Sequence, residues 1–116
     1  EYFVTGDEVI FNEYAPRPHN SGHYTIEGCT VSQFKNHILA ILGEKIQEPK
    51  LVSPSEMINV LGQDMNYLQK AKKFKNVAIH MYNKDKVVTN RKMGHITILS
   101  DDINELKRQS KAITKE

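Results

Sequence analysis

The chain opens with two short runs rich in aromatic and β-branched residues, 1–5 and 9–14, separated by Thr5-Gly6-Asp7-Glu8. Such runs on either side of a turn signal predict a β-hairpin. Over residues 15–28 the pattern is lost. Pro16, Pro18, Asn20, Ser21 and Gly22 interrupt it, and an irregular loop is expected. Apolar residues then recur at spacings of three to four, at Val31, Phe34, Ile38, Ile41 and Leu42, which predicts a helix with one apolar face. Thr30 or Ser32 can cap its start, and Gly43 can close its end. Residues 44–56 are polar, contain Pro49 and Pro54, and read as a connection. Residues 57–61 look like a buried strand and 66–74 like a short helix. Residues 77–82 and 95–99 read as strands joined by a turn containing lysine and asparagine. A last helix follows. Ser100, Asp101 and Asp102 can cap its start and favour the positive end of its dipole, and Ile103, Leu106, Ser110 and Ile113 form its inner stripe.

These elements make an α+β chain. Its only candidate boundary is 43–54, which separates a hairpin, loop and helix (1–43) from a small β-rich unit with a terminal helix (44–116). There is no internal repeat or low-complexity tract. The chain begins at Glu1 and passes directly into a strand-like run, which suggests a chain cut from something longer.

Charge and cysteine content narrow the partners. Sixteen basic residues stand against 14 acidic ones, a net charge of +2. That balance argues against a nucleic-acid or membrane-surface partner. Cys29 is alone, so no internal disulfide can form, and a reducing cytoplasm fits best. No apolar run approaches the ~20 residues of a membrane-spanning helix, and no signal peptide is visible. A chain of 116 residues can bury one modest core, but is short for an enzyme holding a nucleotide and a second substrate.

The densest polar cluster is Asn12-Glu13-Tyr14-Ala15-Pro16-Arg17-Pro18-His19-Asn20-Ser21-Gly22-His23. Loops on rigid scaffolds often carry function, but composition alone equally allows a polar surface loop. Glu1 and Glu13 lie on the two arms of the predicted hairpin. A three-residue turn would set them opposite each other; a two-residue turn would set Glu1 opposite Asn12. Facing carboxylates repel, and a hard divalent cation such as magnesium would reverse that penalty. Two solvated glutamates on a frayed strand fit the residues as well. His19 and His23 have a helical metal-ligand spacing, but the intervening Asn20-Ser21-Gly22 argues against a helix and so against zinc. His37 is expected on a helix surface, and His80 and His95 within strands. Lys84 and Arg91, with Lys86 and Lys92 nearby, flank a turn that can present cations to a phosphate, or can simply keep that turn soluble. Lys70, Lys72, Lys73 and Lys75 read as one solvated face.

Residues 12–25 together with Val31-Ser32-Gln33-Phe34 closely resemble the signature of the 5-(carboxyamino)imidazole ribonucleotide synthases, the ATPase subunits of phosphoribosylaminoimidazole carboxylase, in the ATP-grasp superfamily. Arg91-Lys92-Met93-Gly94-His95-Ile96-Thr97 is a second matching block, and His80-Met81-Tyr82-Asn83-Lys84 a weaker third. The resemblance spans nearly the whole chain, is specific in 12–34 and 91–97, and is loose in 44–75. It implies a ligase of purine biosynthesis that uses ATP to phosphorylate bicarbonate and then carboxylates aminoimidazole ribonucleotide, releasing ADP and phosphate. It implies that residues 1–43 complete the ATP-grasp domain and that 44–116 form the small C-terminal domain. Glu1 and Glu13 would be magnesium ligands at the ATP phosphates, with Asn12 assisting. Arg17 would hold bicarbonate or carboxyphosphate, and His19 and Asn20 would line that pocket. Lys84 and Arg91 would grip the 5′-phosphate of the ribonucleotide.

The sequence departs from the family in one place, where Asn83 replaces the glycine that commonly precedes the lysine. Asparagine tolerates left-handed backbone angles, so the turn is expected to survive. The family's upstream segments, which hold adenine and the α- and β-phosphates, are not in this sequence, so the chain alone is expected to be inactive. Many members are homodimers, though no interface pattern stands out here. A formate-using sister ATP-grasp enzyme fits the histidine-rich and Arg91 blocks less well. The alternative of another class is a non-catalytic anion- or nucleotide-binding module.

Overall fold

The computed structural model describes residues 1–115. The described residues are α+β: a two-stranded sheet, a three-stranded antiparallel sheet and four α-helices. Strands β1 (Tyr2–Thr5) and β2 (Glu8–Phe11) pair with Thr5 opposite Glu8, leaving the two-residue turn Gly6-Asp7. Gly6 has φ +60, the first-position geometry that glycine supplies in tight hairpin turns. The two-residue turn is the alternative that sets Glu1 opposite Asn12.

The segment expected to be an irregular loop is more ordered than its prolines suggest. A 3-10 turn runs over Asn20–Gly22, capped by His19, and helix α1 covers Thr25–Gly28. Helix α2 (Gln33–Ile41) starts at Ser32, whose hydroxyl accepts from Lys35 N, and Gly43 follows its end. Its apolar face is not buried as a core stripe would be. Val31 is buried, but Ile38, Ile41 and Leu42 are exposed, as are Tyr2, Phe3, Val4, Val9, Ile10 and Phe11 of the hairpin.

The connection that follows is tied down. Leu51 forms a β-bridge with Cys29, and the Asn36 side chain both donates to and accepts from the Gln47 backbone. Strands β3 (Ser55–Leu61), β4 (Val77–Met81) and β5 (Lys92–Leu99) form the larger sheet in the order β3-β5-β4. Helix α3 (Tyr67–Ala71) and helix α4 (Ile103–Thr114) cover one face. There Val60, Ala71, Ile96, Ile98 and Ile113 make the core, with Ile58, Leu68, Phe74, Val77 and Ile79 against them. Each fully buried isoleucine contributes roughly 2–3 kcal/mol of transfer free energy, so this face is the main anchor of the sheet. The expected α4 stripe needs one correction. Ile103 is 48% exposed, while Gln109 is 4% exposed. The helix meets the sheet only from Leu106 onward, and its first turn, capped by Asp102, stands in solvent.

Candidate functional site

The other face of the larger sheet carries polar chemistry. Side chains alternate along strands, so the residues between the core positions point away from α3 and α4. Cross-strand register sets Asn59, His95 and His80 in one row, one from each strand. Residues 20–28 lie against that row. Asn20 Nδ2 donates to Asn59 Oδ1 at 2.8 Å. His23 packs on His95 with ring centroids 5.0 Å apart, and Glu27 Oε1 lies 2.6 Å from His80 Nε2. Asn20, His23 and Glu27 are spaced three and four apart, so the 3-10 turn and α1 present them on one side.

His95 is the centre of the row. It is 2% exposed, stacks on His80 at 4.6 Å, and shares a 2.8 Å hydrogen bond between Nδ1 and the Tyr82 hydroxyl. Burial, reinforced by His80 and His23, lowers its pKa to about 4, so the ring is neutral near pH 7. His23 is also lowered, first by burial and then by Lys92, His19 and His80. Burial raises the Tyr82 phenol. His95 Nε2, Glu27 Oε2 and Thr97 Oγ1 are buried without a hydrogen-bond partner.

The acidic end of the site lies where the hairpin leaves its ladder. Asn12 Nδ2 donates to Glu1 Oε1 at 2.5 Å, and Glu13 N donates to the Glu1 carbonyl. Glu13 Oε1 lies 2.7 Å from His19 Nε2. One donor atom from each of Glu1, Glu13 and His19 falls within 4.8 Å of the others. Two carboxylates are the hard oxygen donors that magnesium takes, so the residues present fit that ion. His23 turns away from this group toward Gln33 and the aromatic stack. Arg17 is exposed; its guanidinium donates to the Pro18 carbonyl and has no carboxylate partner among the described residues.

Lys84 and Arg91 lie on the ten-residue connection between β4 and β5. Lys84 Nζ donates to the Lys92 carbonyl at 2.6 Å and sits 5.7 Å from the Tyr82 ring centroid. Arg91 donates to the Lys86 carbonyl. Asn83 adopts φ +48, the left-handed geometry its side chain tolerates. Lys84 therefore reaches the His95 cluster through Tyr82, and that cluster reaches His19 through His23 and Gln33. The structure joins Glu1, Asn12, Glu13 and His19 directly, and His19-Asn20 to the larger sheet. Among the described residues, no hydrogen bond or ion pair joins Lys84 or Arg91 to the acidic group. Sequence reasoning missed Asn59, Glu27 and Tyr82, and gave Gln33 no role. The helical spacing of Asn20, His23 and Glu27 was the one readable clue.

Residues 55–109 match the family described as phosphoribosylaminoimidazole carboxylase C-terminal domain, and residues 1–34 match the ATP-grasp domain family. The fold and site thus define part of an ATP-grasp protein joined to that C-terminal domain. Over 108 residues the chain is 46% identical to an N5-carboxyaminoimidazole ribonucleotide synthase of Staphylococcus epidermidis, covering 90% of this chain and 29% of that protein. The crystal structure of N5-carboxyaminoimidazole synthetase from Staphylococcus aureus superposes with TM-score 0.85 and 39% identity, over 97% of this chain and 31% of that one. The synthase from Aspergillus clavatus in complex with ADP and 5-aminoimidazole ribonucleotide gives 0.87 and 36%, over 97% and 32%. The chain belongs to the N5-carboxyaminoimidazole ribonucleotide synthase family and spans about 30% of the length of these relatives.

Proposed function

We propose that this chain is part of a cytoplasmic ATP-dependent ligase that carboxylates 5-aminoimidazole ribonucleotide with bicarbonate. The observation that carries the reading is the 2.7 Å contact between His19 and Glu13, which brings the proposed anion pocket and the acidic pair into one site. In this reading residues 1–43 finish the ATP-grasp domain and 44–116 form the C-terminal domain; residue 116 lies outside the described residues. The exposed apolar faces of the hairpin and α2 are surfaces for the remainder of the parent chain, since uncovered apolar patches mark contact sites.

The chemistry divides among the residues as follows. Glu1 and Glu13 hold magnesium, and Asn12 orients the Glu1 carboxylate through its amide. Magnesium, when bound, neutralises charge developing on the transferred phosphoryl group. Arg17, having no acidic partner among the described residues, is available to pair with bicarbonate, whose oxygen takes the γ-phosphoryl group as ADP leaves. His19 and Asn20 line the pocket that keeps carboxyphosphate from water. The amine of the ribonucleotide then attacks the carboxyl carbon, a proton leaves the nitrogen, and inorganic phosphate departs. Lys84 and Arg91 bind the 5′-phosphate; Arg91 supplies the planar two-pronged donor and Lys84 a point charge. The 116 residues alone are inactive in this reading.

The test is ADP release by the intact enzyme with ATP, magnesium and bicarbonate, with and without aminoimidazole ribonucleotide. Strong stimulation by the ribonucleotide is expected. No stimulation from folded protein would instead favour a binding module that kept the loop without the reaction.

A further inference from the structure

Bonds converge on Gln33 in a way the reading above does not use. Its side-chain amide pairs with both polar groups of the His19 backbone. His19 N–H donates to Oε1 at 2.9 Å, and Nε2 donates to the His19 carbonyl at 2.7 Å. The second Nε2 hydrogen points to His23 Nδ1, 2.9 Å away. An amide offers an acceptor oxygen and two donor hydrogens; the oxygen and both hydrogens are engaged here, and a flipped amide would put donor against donor and oxygen against oxygen. The neutral His23 ring, with Nδ1 unprotonated, is the partner this arrangement needs.

Gln33 is itself held. Its backbone N–H donates to Thr25 Oγ1 at 2.9 Å, and that hydroxyl donates to the Gly22 carbonyl at 2.6 Å. Gly22 makes the room: a Cβ there would stand 2.6 Å from Gln33 Oε1. The 3-10 turn, α1 and the start of α2 thus close around one amide. What that amide fixes is the peptide of His19, whose ring lies against Ser21 Oγ at 2.8 Å and Glu13 at 2.7 Å.

We propose that Gln33 is a positioning residue of the carboxylation reaction, acting through His19 by clamping its peptide so that the imidazole faces Glu13. The proposal rests on the catalytic reading of His19. Displacing a reacting group by ~1 Å can cost about 10²-fold in rate, and Gln33 touches neither Lys84 nor Arg91. Gln33→Ala in the intact enzyme therefore lowers kcat by roughly 10²-fold while KM for the ribonucleotide stays within about twofold. Gly22→Ala shifts kcat in the same direction with a smaller loss, since only the far end of Gln33 must move. In a His19→Ala background, Gln33→Ala adds less than about twofold, because residues that act through one another are not additive.

Gln33→Ala with full kcat, beside an inactive His19→Ala, overturns the proposal and leaves the reaction assignment standing. So does a Gln33→Ala loss that multiplies in full onto that of His19→Ala. His19→Ala with normal turnover overturns the catalytic reading and the proposal with it. If Gln33→Ala does not fold, Gly22→Ala decides: folded enzyme with unchanged kcat overturns the clamp.

Discussion

Asn20 donates its side-chain amide to Asn59 at 2.8 Å, a bond that joins positions 39 residues apart in sequence. It ties the proposed carboxyphosphate pocket to the middle of β3, on a sheet whose opposite face is anchored by the apolar core. A neutral hydrogen bond of this kind is worth about 1 kcal/mol in stability. Its larger consequence is the aim of Asn20. Asn59→Ala in the intact enzyme is expected to reduce kcat several-fold, and Asn59→Asp, which keeps an acceptor at Oδ1, to recover most of it. Steady-state kinetics of both variants provide the check. Equal losses would mean that the acceptor does not aim Asn20.

Much of the fold was legible because its signals are local. The hairpin followed from two β-rich runs around a glycine turn, α2 from its apolar spacing and the Ser32 cap, and the larger sheet from three apolar runs. The order inside residues 20–28 was not legible. Two prolines just upstream pointed to a loop, whereas the 3-10 turn and α1 exist by virtue of docking on Asn59, His95 and His80. Ile103 misled for a related reason: periodicity names a helix face but not where along its length packing begins. For the proposed site residues, local sequence offered facing carboxylates at Glu1 and Glu13, cations at Lys84 and Arg91, and a polar loop holding Asn12, Arg17, His19 and Asn20; only the family resemblance assigned them roles. Asn59 and Gln33 act through tertiary contacts that no spacing rule describes.

Glu13 contacts His19 and shares one group with the Glu1 carboxylate, where a divalent ion would find hard donors. Glu13→Gln keeps the shape and removes the charge. Turnover is expected to fall by more than roughly 100-fold, beyond the usual cost of losing a group that merely supports a metal ligand. Raising the magnesium concentration should restore part of it. ADP release measured across a magnesium titration tests this, and near-normal release at ordinary magnesium would remove Glu13 from the metal site.

Arg91 lies on the β4–β5 connection and has no carboxylate partner among the described residues. If it binds the ribonucleotide phosphate, Arg91→Ala removes a charge-assisted contact worth roughly 1.5–3 kcal/mol, or about a 10- to 100-fold rise in KM for that substrate. KM for ATP should move little. Arg91→Lys should recover only part of the loss, because the flat guanidinium pairs with two phosphate oxygens at once. Equal rises in both Michaelis constants would place Arg91 elsewhere in the reaction.

The His95 cluster makes stability sensitive to acid, with a sign that can be worked out. An unfolded histidine titrates near 6.5, whereas burial and the neighbouring His80 and His23 hold folded His95 to about 4. Between those values the unfolded chain binds a proton that the folded chain does not, so stability falls as pH drops from 6.5 toward 4 and levels off below. The full cost is about 3 kcal/mol. His80, His23, Tyr82 and Glu27 surround or adjoin the ring. His95→Phe removes the titrating ring, keeps an aromatic side chain against His80, and leaves the other groups in place. Urea denaturation of the intact enzyme at several pH values is expected to give a shallower acid slope for the variant than for the wild type. Identical slopes would assign the acid sensitivity to groups other than His95.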